Sequence, residues 1–213
     1  MFASFGEMKT KKLKGSFLGS ALEFRVLSEP AQLSELLKVG AELQFRFFKF
    51  QGWTFLSHEI FLDGLRLVTA LEFVDEDSHR AQVDLDRAVE CTYSKWKKDL
   101  CVGPFKSEFQ KEILLGLLVG TQRPLRMIDY SELANRAGRQ LAVRAAASVM
   151  SSNPWPVIFP CHRVLPKSSL LRLRGRVSLN HNPSKIDVGK YGGTKYSKGA
   201  SIKKLILEIE GLI

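Results

Sequence analysis

Long hydrophobic runs and cysteines are both scarce in this chain of 213 residues, and each shortage excludes something. The longest apolar run, residues 113–119, falls far below the roughly 20 residues that a bilayer-crossing helix needs, so no membrane partner is expected. The cysteines are Cys91, Cys101 and Cys161, an odd number that leaves one unpaired in any disulfide scheme. A disulfide scaffold is therefore excluded as the source of stability. A reducing intracellular compartment is expected, whether cytoplasm, nucleoid or nucleus. The basic stretch at residues 9–14 precedes an apolar segment broken by Glu23 and Arg25, which argues against a secretory signal. Internal repeats are missing too.

Acidic residues are short in one half only. Residues 1–103 hold 14 Lys and Arg against 15 Asp and Glu, whereas residues 104–213 hold 18 against 7. The whole positive excess lies in the second half, which suggests a polyanion bound there. A solvated basic surface kept for solubility is the competing reading.

The first half reads as α+β. Residues 43–50, 53–56, 60–61 and 65–73 are short aromatic and β-branched runs punctuated by Gly52 and Gly64, the outline of a small antiparallel sheet. Val83, Leu85, Val89 and Tyr93 stand near helical spacing and predict a helix over 83–96. Val102-Gly103-Pro104 marks a boundary between domains 1–103 and 104–213, since the charge balance changes there. The second half reads as helical. Ser107 predicts the cap of a helix ending before Gly120. Asp129 and Glu132 have capping-box spacing before a short helix that stops at Gly138, and another helix follows over 142–151. Two short helices about a glycine turn in a basic domain outline a helix-turn-helix, as ordinary helical cores also do. Residues 202–209 form a terminal amphipathic helix. In the second helix of the pair, Arg144 is followed by Ala145, Ala146, Ala147 and Ser148. Such small residues suit either tight helix packing or a slim helix laid in a DNA groove.

Residues 153–164 (Asn-Pro-Trp-Pro-Val-Ile-Phe-Pro-Cys-His-Arg-Val) carry the chemistry. A cysteine in apolar surroundings is most often structural. Here, however, Pro160 bends the chain before Cys161, and His162 and Arg163 follow it directly. A thiol beside titratable and positive groups ionises more readily, and the thiolate is the nucleophile.

These residues resemble the active-site motif of the O6-alkylguanine-DNA alkyltransferases. The resemblance extends from Phe109-Gln110 through Tyr130-Ser131, Leu133-Ala134 and Arg144-Ala145 to Val164, and resumes from Tyr196-Ser197 through Lys203 and Leu205 to Glu210-Gly211. It implies an α+β fold with a ribonuclease H-like N-terminal domain and a C-terminal winged helix-turn-helix domain. It implies, further, that Cys161 accepts an alkyl group from O6-alkylguanine in double-stranded DNA, with O4-alkylthymine a second candidate base. In that scheme His162 deprotonates the thiol through a water, Glu210 orients the imidazole, and Asn153 holds the bend. Tyr196 lends a proton to the departing base. Tyr130, Arg144, Ala145, Ser148, Ser151, Arg163 and Ser197 would meet the DNA, Tyr130 and Arg144 serving to extrude the nucleotide. The thioether product is a very poor leaving group, so each monomer would react once. No cofactor is implied. No zinc site equivalent to that of some relatives is expected, because no cysteine precedes Cys91.

The chain departs from that pattern between Val164 and Tyr196, where it is about twenty residues longer. Residues 166–190 form a basic insertion, either a bland loop or a DNA-contacting wing. The alternation over 171–177 suggests a β-hairpin arm. Tyr191 is an alternative to Tyr196, and Lys198 stands where a small residue is expected. A rival function is a winged-helix transcription regulator sensing electrophiles through Cys161. A lesion-binding relative without alkyl transfer is a third reading, although such proteins replace the cysteine.

Overall fold

Alternation marks an early strand of the first half. In residues 20–27 Leu22, Phe24 and Val26 are buried while Glu23 is exposed, a strand pattern in which the charges at Glu23 and Arg25 form the outward face. The computed structural model describes residues 9–28, 36–37, 41–62, 64–74, 87–122, 126–175, 187–189 and 199–213. The chain divides into two compact units, residues 1–16 with 20–111 and residues 17–19 with 112–213.

The first unit is built on a seven-stranded sheet: β1 (Thr10–Phe17), β2 (Ser20–Leu27), β3 (Glu42–Phe50), β4 (Trp53–Leu62), β5 (Leu65–Phe73), β6 (Val89–Glu90) and β7 (Cys101–Val102), in the order β1-β2-β7-β5-β4-β3-β6. The sheet is larger than the sequence pattern predicts, and it is mixed rather than antiparallel. β3, β4 and β5 form an antiparallel meander. The two-residue strand β7 runs parallel to both β2 and β5, and β6 parallel to β3. Strands this short leave no periodic signal. The two runs at 53–56 and 60–61 are one strand, β4, with a register shift at His58/Glu59.

Where a helix is predicted over 83–96, the described part instead holds β6 and the single turn α1 (Tyr93–Trp96). Val89 is largely exposed, Cys91 donates its N–H to the Phe47 carbonyl, and Thr92 caps α1 through its side chain. Residues 83–86 lie outside the described residues. One sheet face packs Phe48 against Phe55 and Trp96, with ring centroids 5.2 and 4.4 Å apart, and Phe73 on Phe55. A second cluster joins Leu27, Leu36, Ala41, Ile60, Leu67 and Cys101.

From residue 112 the second unit holds the greater part of α2 (Glu108–Gln122), which runs past its predicted end before Gly120. Its Ser107 cap forms as expected, accepting from the Gln110 N–H at 3.1 Å. The bare faces of Gly116 and Gly120 allow close approach. A Cβ at Gly116 would meet Ala137 at 3.2 Å, and one at Gly120 would meet Arg136 Cδ at 2.8 Å. The helix pair follows as read: α3 (Tyr130–Arg136), capped by Asp129 accepting from the Glu132 N–H at 2.9 Å, and α4 (Val143–Ser151). The reciprocal half of the capping box does not form, because Glu132 pairs with Arg126 and Arg136 instead.

Two short strands, β8 (Ile128–Asp129) and β9 (Val164–Leu165), pair in parallel. That ladder sets the start of α3 beside the chain leaving Cys161. The insertion does not begin as a β-hairpin arm. Residues 167–174 form α5 (Lys167–Arg174), with Leu170 buried in a cluster containing Leu165, Val188 and Leu207. Leu170 and Leu173 lie three apart, so a helix turns both onto this cluster where an alternating strand would not. Residues 176–186 lie outside the described residues. The unit closes on α6 (Gly199–Ile209). Among the described residues no helix is long and apolar enough to cross a membrane.

Candidate active site

Cys161 is delivered by a rigid approach. Trp155, Val157, Ile158 and Phe159 are all fully buried, and prolines at 154, 156 and 160 fix backbone dihedrals and remove donors. Asn153 ties the two ends together. Its Oδ1 accepts from the Trp155 N–H at 3.0 Å, while its Nδ2 donates to the Phe159 carbonyl at 2.8 Å. The Cys161 N–H donates to that same carbonyl at 2.7 Å. Val157 is held at φ +70°, a left-handed conformation costly for a β-branched side chain and kept only because its surroundings enforce it. Cys161 then opens a single 3-10 turn with His162 and Arg163, and its side chain is nearly covered.

Beside the cysteine lies a buried charge cluster. His162 Nε2 is 3.0 Å from Glu210 Oε2, with both side chains wholly covered. Arg163 donates to both carboxylate oxygens, Nε at 2.8 Å and Nη2 at 2.6 Å, and its Nη1 donates to the Thr121 carbonyl at 3.2 Å. Glu210 follows the last turn of α6, where helix carbonyls concentrate negative potential. The guanidinium and imidazole offset it. Burial alone would raise the Glu210 carboxyl, but hydrogen bonds from Arg163 and His162 and their positive charge hold it down at about 2. Burial pushes the His162 imidazole below its ordinary value against the pull of Glu210, leaving it neutral at physiological pH. With Nε2–H directed at the carboxylate, Nδ1 is the basic nitrogen. A neutral, oriented imidazole one residue from a thiol is equipped to take a proton.

Arg163 does not sit where the sequence places it. It is fully buried and bound to Glu210 and Thr121, so it cannot reach a nucleic acid as a DNA-binding residue. Its bidentate geometry makes it an internal support of the carboxylate.

The remaining predicted residues divide by location. Arg144, Ala145, Ser148 and Ser151 share the exposed stripe of α4, whose opposite side buries Ala146, Val149 and Met150. Arg126 and Arg136 are paired with Glu132, and Arg139 with Glu112, whereas Arg144 pairs with no carboxylate among the described residues. Tyr130, the first residue of α3, is half-buried. Its hydroxyl is raised by burial first and by the nearby Cys161 second. Tyr196 and Ser197, with Tyr191 and Lys198, lie outside the described residues. No group of three or more His, Cys, Asp or Glu among the described residues is arranged to hold a metal ion.

Lys203 is not among the site residues that the sequence predicts. It is 2% exposed and donates to the Val164 carbonyl at 2.7 Å, and burial lowers it to about 8. A signal for it lies in the sequence: Lys203 and Glu210 are seven apart with Ile206 and Leu207 between them, a spacing that turns a charge within the helix and one just past its end to the same apolar side.

Fold and site together define a helix-pair domain built around a buried cysteine, with a neutral imidazole on the next residue and a slim exposed helix on its surface. Residues 123–212 match the family described as 6-O-methylguanine DNA methyltransferase, DNA binding domain. Residues 123–212, which include Cys161, His162 and Glu210, are thus similar to that family's DNA-binding domain. Two methylated-DNA–protein-cysteine methyltransferases resemble the chain in sequence. That of Methanothermobacter thermautotrophicus is 35% identical over 85 residues, 40% of this chain and 35% of the relative. The Homo sapiens protein is 33% identical over 85 residues, 40% of this chain and 30% of the relative. The chain thus spans about a third of the length of these curated relatives. In three dimensions the chain resembles the crystal structure of Mycobacterium tuberculosis O6-methylguanine methyltransferase, with a TM-score of 0.53 and 17% identity over 79% of this chain and 93% of that one. That likeness bears on the α+β fold alone.

Proposed function

We propose that this chain repairs DNA by direct reversal, transferring the alkyl group of O6-alkylguanine irreversibly to Cys161. The buried His162–Glu210 pair adjoining Cys161, 3.0 Å between its polar atoms, carries this reading. The pair supplies a base matched to a thiol in a domain whose family is described as DNA binding. In the proposed step His162 takes the thiol proton through a water, with Glu210 stabilising the imidazolium that forms. The sulphur attacks the alkyl carbon in line. The S–C bond forms as the C–O6 bond breaks, and Tyr196 protonates the departing guanine. Asn153 holds the turn that aims Cys161.

The duplex hides O6 from a thiol, so the nucleotide must leave the stack. Arg144, unpaired with any carboxylate among the described residues, would fill the gap. Ala145, Ser148 and Ser151 let α4 lie close in the groove, and Tyr130 crowds the phosphate. On this reading α3 and α4 are the helix-turn-helix of a winged domain at 104–213, the sheet of domain 1–103 is ribonuclease H-like, and the protein acts as a monomer without a cofactor.

The test is an intact-mass measurement after mixing the protein with an O6-methylguanine oligonucleotide. One methyl, about 14 Da, should appear on the Cys161 peptide and should stop at one equivalent. Multiple turnover, or methyl released to solvent, overturns the reading. Sequence-specific operator binding without transfer would support the regulator instead.

A further inference from the structure

The segment after α5 returns to the site. Val188 is buried in the cluster of Leu165, Leu170 and Leu207, which pins residues 187–189 against α6. Gly189 stands at φ +75°, and a Cβ there would lie 3.7 Å from Lys203 Nζ and 3.9 Å from Pro166 Cδ. Asp187 Oδ1 accepts from the Gly189 N–H at 2.8 Å, which fixes the carboxylate over the same turn. Lys203 therefore has a lid from the insertion on one side and the Val164 carbonyl on the other, 2.7 Å away.

Burial is the largest influence on Lys203 and favours the neutral amine. The charges of Cys161 and Asp187 oppose it. The other charged groups around the turn are His162, which feels Lys203 as a like charge, and the Arg163–Glu210 pair, which is internally compensated. Tyr130 faces Cys161 from α3.

We propose that Asp187 is a positioning residue of the Cys161 site: it holds Lys203 as an ammonium within electrostatic reach of the sulphur, so that the insertion tunes how readily the thiol reacts. The proposal rests on the reading of Cys161 as the acceptor. Removing Asp187 has two opposed consequences. Directly, one fewer negative charge favours a thiolate. Indirectly, Lys203 gives up its proton more easily and the thiolate loses its cation. Because Lys203 is buried under the turn that Asp187 closes, solvent screens the direct path to the sulphur more strongly than the path through the ammonium.

The test uses the full chain and iodoacetamide, whose carbon takes the thiolate sulphur as iodide leaves, with labelling of the Cys161 peptide followed by mass from about pH 6 to about pH 10. Asp187→Asn should slow labelling at neutral pH about two- to fivefold, the size expected of a screened charge. The loss should vanish at alkaline pH, and thermal unfolding should stay unchanged. Lys203→Met should slow it about tenfold, Lys203→Arg should restore most of the rate, and Asp187→Asn should add nothing in the Lys203→Met background. Faster or unchanged labelling in Asp187→Asn overturns the proposal, as does an equal loss with and without Lys203. If Lys203→Met does not fold, Asp187→Asn and Lys203→Arg still decide it. The probe needs no DNA, so failure of methyl transfer from an oligonucleotide would count against the repair function and not against this coupling.

Discussion

Among the described residues, each unit of the molecule has a glutamate whose side chain is wholly covered and neutralised by arginine, yet only one of the two glutamates is also paired with a titratable histidine. Glu59 meets Arg46 at 3.2 Å, Arg66 at 3.1 Å and the Ser57 hydroxyl at 2.8 Å. Glu210 meets Arg163 at 2.6 Å and His162 at 3.0 Å. Both satisfy the rule that a buried charge needs a partner. The difference lies in the neighbours. Around Glu59 the partners are permanent cations, and the nearest thiol, Cys91, is pushed up by burial and then by Glu59 itself. Around Glu210 one partner is titratable and adjoins Cys161, with Lys203 also in reach. A buried carboxylate is thus no sign of a site by itself. What matters is whether a proton can move between its partners.

Cysteine substitution should break this comparison most completely. Cys161→Ala should abolish alkyl transfer, whereas Cys91→Ser should leave it unchanged, as read by protein mass after incubation with the methylated oligonucleotide. Buried Cys101, raised to about 11 by burial, should likewise stay unmodified.

Arginine removal should cost both units similarly and affect chemistry in one. Arg66→Met and Arg163→Met should each lower stability by about 3–5 kcal/mol in urea titrations, since each leaves a buried carboxylate short of a cation. Only Arg163→Met should shift His162 upward toward neutral pH in an NMR titration, because the Glu210 charge would then fall on the imidazole alone.

Acid should weaken the second unit in two stages. His162 is depressed in the folded state, so the unfolded chain binds its proton first, and stability falls as pH drops below about 6.5. Glu210, at about 2 when folded against 4.5 unfolded, adds a loss on the order of 3 kcal/mol as pH falls through that window. Unfolding followed by Trp155 fluorescence would test it, and a stability flat from neutral pH to about pH 3 would refute the buried pair's role.

Arg144→Ala should have the smallest effect on the fold, within about 0.5 kcal/mol, because the side chain is exposed. It should slow reaction with duplex DNA far more than with free O6-benzylguanine. Equal losses would give α4 a structural role alone.

Several elements were legible because they depend on neighbours in sequence. The caps at Ser107 and Asp129, the turn at Gly138 and the helix pair α3–α4 all follow from local chemistry. The candidate cysteine site is local in the same way: Asn153, Cys161 and His162 lie within ten residues, and Glu210 directly follows a periodic helix. β2 has an equally local pattern, since Glu23 and Arg25 are the outward half of its alternation. β6 and β7, of two residues each, offered no pattern to read. Their pairing is supplied by strands far away in sequence.

The sequence by itself determined where the helices begin, which half carries positive charge, and which cysteine has a histidine beside it. Those are properties of residues within a few positions of one another. Tertiary structure alone decided that Arg163 turns inward to Glu210, forty-seven positions away, and not outward to DNA. It also decided that Leu170 and Val188 enter the core and that the turn at Gly189 comes to rest over Lys203. Charge and burial act through space, and one residue's type cannot say which distant partner will compensate it.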